Sequence, residues 1–349
     1  MSRLVHKEEL KRFITEVFKR ADMPEADAAW TADTLTQAEL RGTSSHGVIR
    51  TSAYVTRLKS KTNNPTPNIK VIKDAGALAL MDGDNGMGQV VSKRGMEESL
   101  DRAEKHNVGV VIMQRSNHFG AAGTFAQLAL KRGMVGIVTT NAVKTIAPAG
   151  GKEKILGNNP VAIAIPGDPP IELDMALSTV ARGYVLQAHM AGKNIPEGWG
   201  VDAEGEPTTD PNEVLESGSL TAIAGYKGVG LSVAIDAILG ALTGGAHSHG
   251  IGGLMDPTDP GNVTHFFAAI RIESLIPMAE FRATVNTLCS VLRAAPKAAG
   301  VERIYMPGEK EYDSEQALRA SGIPLLPERY TELAELARQL DIPEMETFE

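Results

Sequence analysis

Two histidines stand among residues suited to proton and carboxylate chemistry. The first lies in RGTSSHGVIRTSAY, where Ser45 and His46 are adjacent and Arg50 and Tyr54 follow the histidine at four-residue steps. On a helix, His46, Arg50 and Tyr54 would share one face. The guanidinium could grip a small carboxylate while the imidazole exchanges a proton with the neighbouring oxygen or nitrogen. The same spacing also suits a helix–helix seam held by mixed hydrogen bonds. The second histidine, His118, follows Asn117 in RSNHFGAAG, directly after the apolar run 108–113. An imidazole exposed there can give a proton to a carbonyl during reduction and remove one during oxidation. A histidine that only stabilises its turn is the alternative.

Further polar groups follow. Lys144, in TNAVKTIAPAGG, offers an amine to a substrate oxygen or a phosphate, or is an ordinary loop lysine. The turn Asn158, Asn159, Pro160 in LGNNPVAIAIPG presents two carboxamides to a ligand or to its own backbone. Asp174 ends an apolar run, where it can orient a basic group or cap a helix, with Ser178 close behind. Lys227 sits among glycines in YKGVG at a helix start, an arrangement suited to phosphate or to a close helix crossing. His247 and His249 share a loop near Asp256 and His265, but no third zinc ligand is evident from spacing, so no metal is expected.

The elements that must position these groups can be read from periodicity. Leu10, Phe13, Ile14, Val17 and Phe18 mark one helical face, and a second helix starts at Pro24 and stops at Gly42. TNNPTPN breaks the pattern at 62–68. Beyond it, helices are expected over 91–105, 123–131, 231–242, 278–292, 315–320 and 330–340. Strands are expected over 108–113, 135–140, 161–165, 171–175 and 265–272. This order indicates an α/β or α+β fold. The polar stretch 196–219 reads as an exposed excursion or cleft wall, not a second core.

Composition narrows the function classes. The 349 residues carry a formal net charge of -8, and no basic block suggests a nucleic-acid partner. One cysteine excludes an internal disulfide framework. No apolar stretch approaches a membrane span, and the charged start lacks a signal-peptide core, so the expected location is the cytoplasm. There is no G-x-G-x-x-G after a strand, no phosphate loop, no H-E-x-x-H and no G-x-S-x-G. A nucleotide-dependent enzyme would therefore need a fold other than the ordinary Rossmann unit.

Several strings together resemble the non-Rossmann malate/L-lactate dehydrogenase family. They include RGTSSHGVIRTSAYVTRL, SNHFGAAGTFAQLA, APAGGKEKILGNNPVAIAIPG, LDMALSTVARG, IPEGWGVDAEGEPTTDP, GYKGVGLSVAIDAILGALTG and YMPGE. The resemblance implies a helical domain, 1–72 plus about 300–349, joined to a cofactor-binding domain with a mixed, largely antiparallel sheet, 73–299. It also implies a homodimer whose cleft is shared between subunits. The implied reaction is NAD- or NADP-dependent interconversion of a small malate- or lactate-like 2-hydroxy acid and its 2-oxo acid. Ureidoglycolate dehydrogenase and cyclic 2-imino-acid reductase are the alternatives within the family, and an inactive structural dimer is the alternative outside catalysis.

By the same resemblance, Ser45, Arg50 and Tyr54 bind substrate, with Arg50 on its carboxylate. His46 or His118 carries the proton, with His46 slightly favoured. Lys144 would steady the developing oxyanion. His118, Asn158, Asn159, Pro160, Asp174, Ser178 and Lys227 would meet the cofactor. Family members often have threonine at the position of Asn158 and glycine at that of Asn117.

Overall fold

The protein, described by a computed structural model over residues 3–348, is a helical layer packed against a mixed sheet. The chain opens with strand β1 (Arg3–Val5) and helices α1 (Lys7–Lys19), α2 (Glu25–Leu40) and α3 (Thr51–Lys59). Next come β2 (Lys70–Ala75), β3 (Leu78–Asp82), α4 (Gly88–His106) and β4 (Val108–Ser116), then α5 (Gly123–Ala126) and β5 (Met134–Thr140). Short strands β6 (Lys144–Ile146) and β7 (Leu156–Gly157) precede β8 (Val161–Ile165) and β9 (Ile171–Met175). After α6 (Arg182–Met190) the chain forms β10 (Gly200–Val201), β11 (Pro207–Thr208), α7 (Pro211–Glu216) and β12 (Ser219–Leu220). It continues through α8 (Tyr226–Thr243), β13 (Val263–Arg271) and α9 (Met278–Arg293). It closes with α10 (Glu309–Ser321), β14 (Ile323–Leu325) and α11 (Pro327–Leu340).

The main sheet has the order β2-β3-β4-β13-β5-β8-β9. Only its β3–β4 pair is parallel, so the sheet is mixed and largely antiparallel, as the family resemblance implies. Alternation along the strands sends Val111, Met113, Val138 and Phe267 to one buried face, where they meet Met96 and Leu100 of α4 and Phe125 of α5. The expected face of α1 is buried too. Leu10, Phe13, Ile14, Val17 and Phe18 pack with Leu35, Leu58, Leu333 and Leu336. Each such side chain contributes about 1.5–3 kcal/mol by leaving water, which is what fixes the helical layer.

Three expectations need correction. Residues 46–54 are not one helix: Ser44–His46 and Val48–Arg50 form separate 3-10 turns before α3, broken at Gly47 (φ -89°, ψ -147°). The break is stabilised by the Glu39 carboxylate, which accepts the Val48 N–H at 2.8 Å where a continuous helix would leave it unavailable. The helix expected over 123–131 is α-helical only through Ala126 and tightens to 3-10 geometry over Gln127–Arg132. The stretch 196–219 is more than an excursion. It supplies β10, β11 and β12 to a second sheet, β11-β10-β12-β6-β7, with its own apolar cluster of Ile146, Leu156, Val185, Ile195, Val214 and Leu220.

Candidate active site

Breaking the helix does not scatter its polar groups. His46 and His118 lie with ring centroids 5.8 Å apart and planes 9° from parallel. Each ring is held through Nδ1: Ser45 Oγ lies 3.0 Å from that atom of His46, and Tyr54 Oη lies 2.6 Å from that of His118. Arg50 donates its Nε–H to the Ser45 carbonyl at 2.7 Å and has no carboxylate partner among the described residues. A partly buried guanidinium without a counterion, beside two imidazoles, is a ready carboxylate receptor.

The electrostatics follow from crowding. Burial and then the Arg50 charge lower the His46 pKa to about 4. Burial, Arg50, His46 and His265 push His118 well below the usual histidine value. Both imidazoles are thus neutral near pH 7. Burial raises the Tyr54 pKa to about 12, so its hydroxyl keeps its proton and is able to donate it to His118 Nδ1. With the hydroxyl as donor, the ring proton of neutral His118 is on Nε2.

The support beneath His118 was not anticipated from sequence. Asn117 donates to the carbonyls of Asn85 (3.0 Å) and Gly86 (2.9 Å) and accepts from Arg57 Nη2 at 3.2 Å. Arg57, only 2 % exposed, also donates to Asn63 Oδ1 and to the carbonyls of Gly253, Asp256 and Asp259. It therefore ties loop 253–259 to the residue before His118. Gly88 opens α4 so close to the backbone of Asn117 and His118 that a β-carbon would sit 2.3 Å from the His118 carbonyl oxygen. Below, His265 is fixed between Thr140 Oγ1 and Ser116 Oγ, both at 2.7 Å, and stacks on Phe119 at 4.5 Å. Arg57 lies three residues past Tyr54 on α3, a local signal for a shared face, but its partners are up to 202 residues away.

The other sequence candidates divide. Lys144 is exposed on β6 opposite Gly157, next to Asn158, whose carbonyl accepts the Leu177 N–H at 2.7 Å. Asn159 is buried, and its carboxamide is used internally: Oδ1 accepts from Ala142 N, and Nδ2 donates to the Ser232 carbonyl and hydroxyl. Of the two uses open to this carboxamide, a ligand or the protein itself, the side chain shows the second. Pro160 offers only its carbonyl, which accepts from Thr139 Oγ1. Ser178 Oγ donates to the Val180 carbonyl, and Lys227 is exposed at the first turn of α8. Among the described residues, no three His, Cys, Asp or Glu side chains gather as a metal site.

Asp174 stands apart from the histidine pair, in a cavity of about 400 Å³ lined by Thr43, Gly123, Glu172, Tyr305, Gly308 and Glu311 among others. Its carboxylate accepts the Gly123 N–H at 2.8 Å, and desolvation raises its pKa to about 6. This is the helix-start acceptor role, realised across space. The segment 118–123 and the bond from His46 N–H to the Thr43 carbonyl connect the cavity to the imidazoles. Its walls are cut back at two glycines. A β-carbon on Gly123 would lie 2.9 Å from Asp174 Oδ2, and one on Gly308 would lie 2.7 Å from Glu172 Cβ. The cavity thus offers the carboxylates of Glu172, Asp174 and Glu311 as acceptors to a hydroxyl-bearing group.

A family model described as malate/L-lactate dehydrogenase matches residues 5–334. The chain is 39 % identical over 347 residues to a malate dehydrogenase of Pyrococcus horikoshii, covering 97 % of this chain and 96 % of the relative. It is 40 % identical over 333 residues to an L-sulfolactate dehydrogenase of Methanocaldococcus jannaschii, covering 95 % and 96 %. The crystal structure of malate dehydrogenase from Entamoeba histolytica superposes with a TM-score of 0.94 at 32 % identity, covering 98 % of this chain and 99 % of that one. With its two-layer fold, its missing Rossmann fingerprint and its paired imidazoles beside a free guanidinium, the chain belongs to the malate/L-lactate dehydrogenase family.

Proposed function

We propose that the protein interconverts a small malate-like 2-hydroxy acid and its 2-oxo acid, using NAD in preference to NADP. The observation that carries this reading is the stacked His46–His118 pair beside a guanidinium without a counterion. A bound nicotinamide cofactor would exchange a hydride with substrate C2. The chain's own residues do the rest. Arg50 holds the C1 carboxylate through paired N–H donors. His118, held by Tyr54, directs its Nε2–H at the C2 oxygen. His46 carries the proton: burial and then the Arg50 charge hold its pKa down, and Arg50 is the one charged group that does so. A carboxylate on Arg50 cancels that repulsion and lets His46 protonate for reduction. In oxidation the neutral imidazole accepts the hydroxyl proton. Lys144, exposed and without an ion pair among the described residues, is available to the developing oxyanion or to a cofactor phosphate.

The preference for NAD rests on the Asp174 cavity. Glu172, Asp174 and Glu311 line it, while Arg41 is committed to Glu172 and Glu315 and Lys310 rests over the Tyr305 ring. A ribose diol suits these carboxylates, and a 2′-phosphate would be repelled. A homodimer is supported by α8, whose Leu231, Val233, Ile238 and Leu242 are exposed at 54 %, 46 %, 48 % and 62 %.

The test is an activity matrix of malate, sulfolactate, lactate, ureidoglycolate and cyclic imino acids against both cofactors. It is paired with His46→Ala and His118→Ala and a deuterated cofactor. Malate-like turnover with NAD, lost in both variants, supports the reading. Unchanged turnover in both variants overturns the acid–base roles, and inactivity on every 2-hydroxy and 2-oxo acid overturns the reaction.

A further inference from the structure

The cleft beside Arg50 holds more positive charge than one carboxylate requires. Helix α6 begins against Ser45, the residue that already contacts both His46 and Arg50: a β-carbon on Gly183 would lie 2.8 Å from Ser45 Cβ. Arg182, the first residue of α6, immediately precedes this contact. Arg50 feels repulsion from two guanidinium groups, Arg182 and Arg329. Arg329 is paired with Glu332. Arg182 is exposed and has neither an ion pair nor a side-chain hydrogen bond among the described residues. The positive zone extends further. Lys154, lowered mainly by burial, also feels Arg182 and Lys144, and its amine is taken up by the carbonyls of Leu215 and Glu216. In a chain of net charge -8, two guanidinium groups without counterions on adjoining elements, Arg50 and Arg182, suit a ligand with more than one negative group.

We infer that Arg182 is a specificity-determining residue, reading a second anionic group, carboxylate or sulfonate, carried by the substrate beyond C2. The inference rests on the proposed 2-hydroxy-acid reaction and deepens it. Arg50 is reserved for the carboxylate adjacent to the reacting carbon, because its backbone bond to Ser45 fixes it beside His46. Arg182 is on a different element with its whole fork of donors free, so it can meet an anion farther along the same substrate. A substrate with one charge, such as lactate, would leave Arg182 without a partner and gain nothing from it.

Arg182→Gln and Arg182→Lys are compared with the wild type on malate, sulfolactate and lactate and their oxo acids, with saturating cofactor. In the glutamine variant, kcat/KM for the two doubly charged substrates is expected to fall roughly 10- to 100-fold, chiefly through KM. Lactate is expected to change less than about 3-fold, and lysine to restore part of the loss. The ratio of losses on malate and sulfolactate shows which anion the site reads better. Cofactor affinity, read by nicotinamide fluorescence, should not move. Equal losses on all three substrates, or none, overturn the assignment of Arg182. A wild-type enzyme inactive on every 2-hydroxy and 2-oxo acid overturns the underlying reaction instead, so the two failures are distinguishable.

Discussion

Replacing Tyr54 by Phe removes one oxygen atom and leaves the ring in its fully buried place. The missing atom is the one 2.6 Å from His118 Nδ1. Leaving that nitrogen without a partner costs about 1–3 kcal/mol, partly offset because the tyrosine hydroxyl no longer has to be desolvated. A net loss of about 1 kcal/mol is expected, a shift of a few degrees in melting temperature. The catalytic effect should be larger. Without a donor at Nδ1, the ring can hold its proton there and turn an acceptor Nε2 toward the substrate oxygen, the wrong polarity for orienting a carbonyl. If the lost orientation is worth about 1.5–3 kcal/mol in the transition state, kcat/KM for reduction falls roughly 10- to 100-fold. The assay is steady-state reduction across pH with a deuterated cofactor, beside a thermal melt. Activity within about 2-fold of wild type and an unaltered pH profile would refute the reasoning, leaving Tyr54 as packing alone.

Other perturbations probe the scaffold. Burial raises Glu39 from 4.5 to about 7, so the stability tied to its protonated form is full below 4.5 and is lost as pH rises through 7. Glu39→Gln keeps an acceptor for Val48 N–H, so it should melt higher than wild type at about pH 8, with the difference shrinking toward about pH 5, as thermal melts at both values will show. Arg57→Met should cost about 3 kcal/mol or more by leaving the buried Asn63 and Asn117 oxygens and three partly buried carbonyls without their donor, and should speed proteolysis within 253–259, both measurable by denaturant titration and limited digestion. Ile238→Glu on the exposed face of α8 should convert dimer to monomer in analytical ultracentrifugation.

Elements bounded by local punctuation were legible. The strands read as 161–165 and 171–175 coincide with β8 and β9, because proline and glycine flank each apolar run. Helix α9 exceeds its expected end by one residue. The break at Gly47 was hidden, since it depends on Glu39 reaching from α2 to Val48 N–H. The second sheet was hidden as well. Several of its strands are two residues long, and β12 joins β6 across some seventy residues of chain, beyond any periodic signal. For the site, residue types pointed to His46, Arg50, Tyr54 and His118. The Arg57–Asn117 clamp did not show, because its acceptors are mostly backbone carbonyls. Asn159 carried a two-sided signal: a carboxamide in a polar turn looks the same whether it serves a ligand or Ser232.

Strand β13 lies between β4 and β5, although it is made more than 120 residues after either of them begins. Until it arrives, both neighbours present unpaired edges, and the two wings of the sheet have nothing to join them. The closing segment also brings His265, the ring on which Phe119 rests. A nascent chain would thus complete its central ladder and the layer beneath His118 in one late act of synthesis.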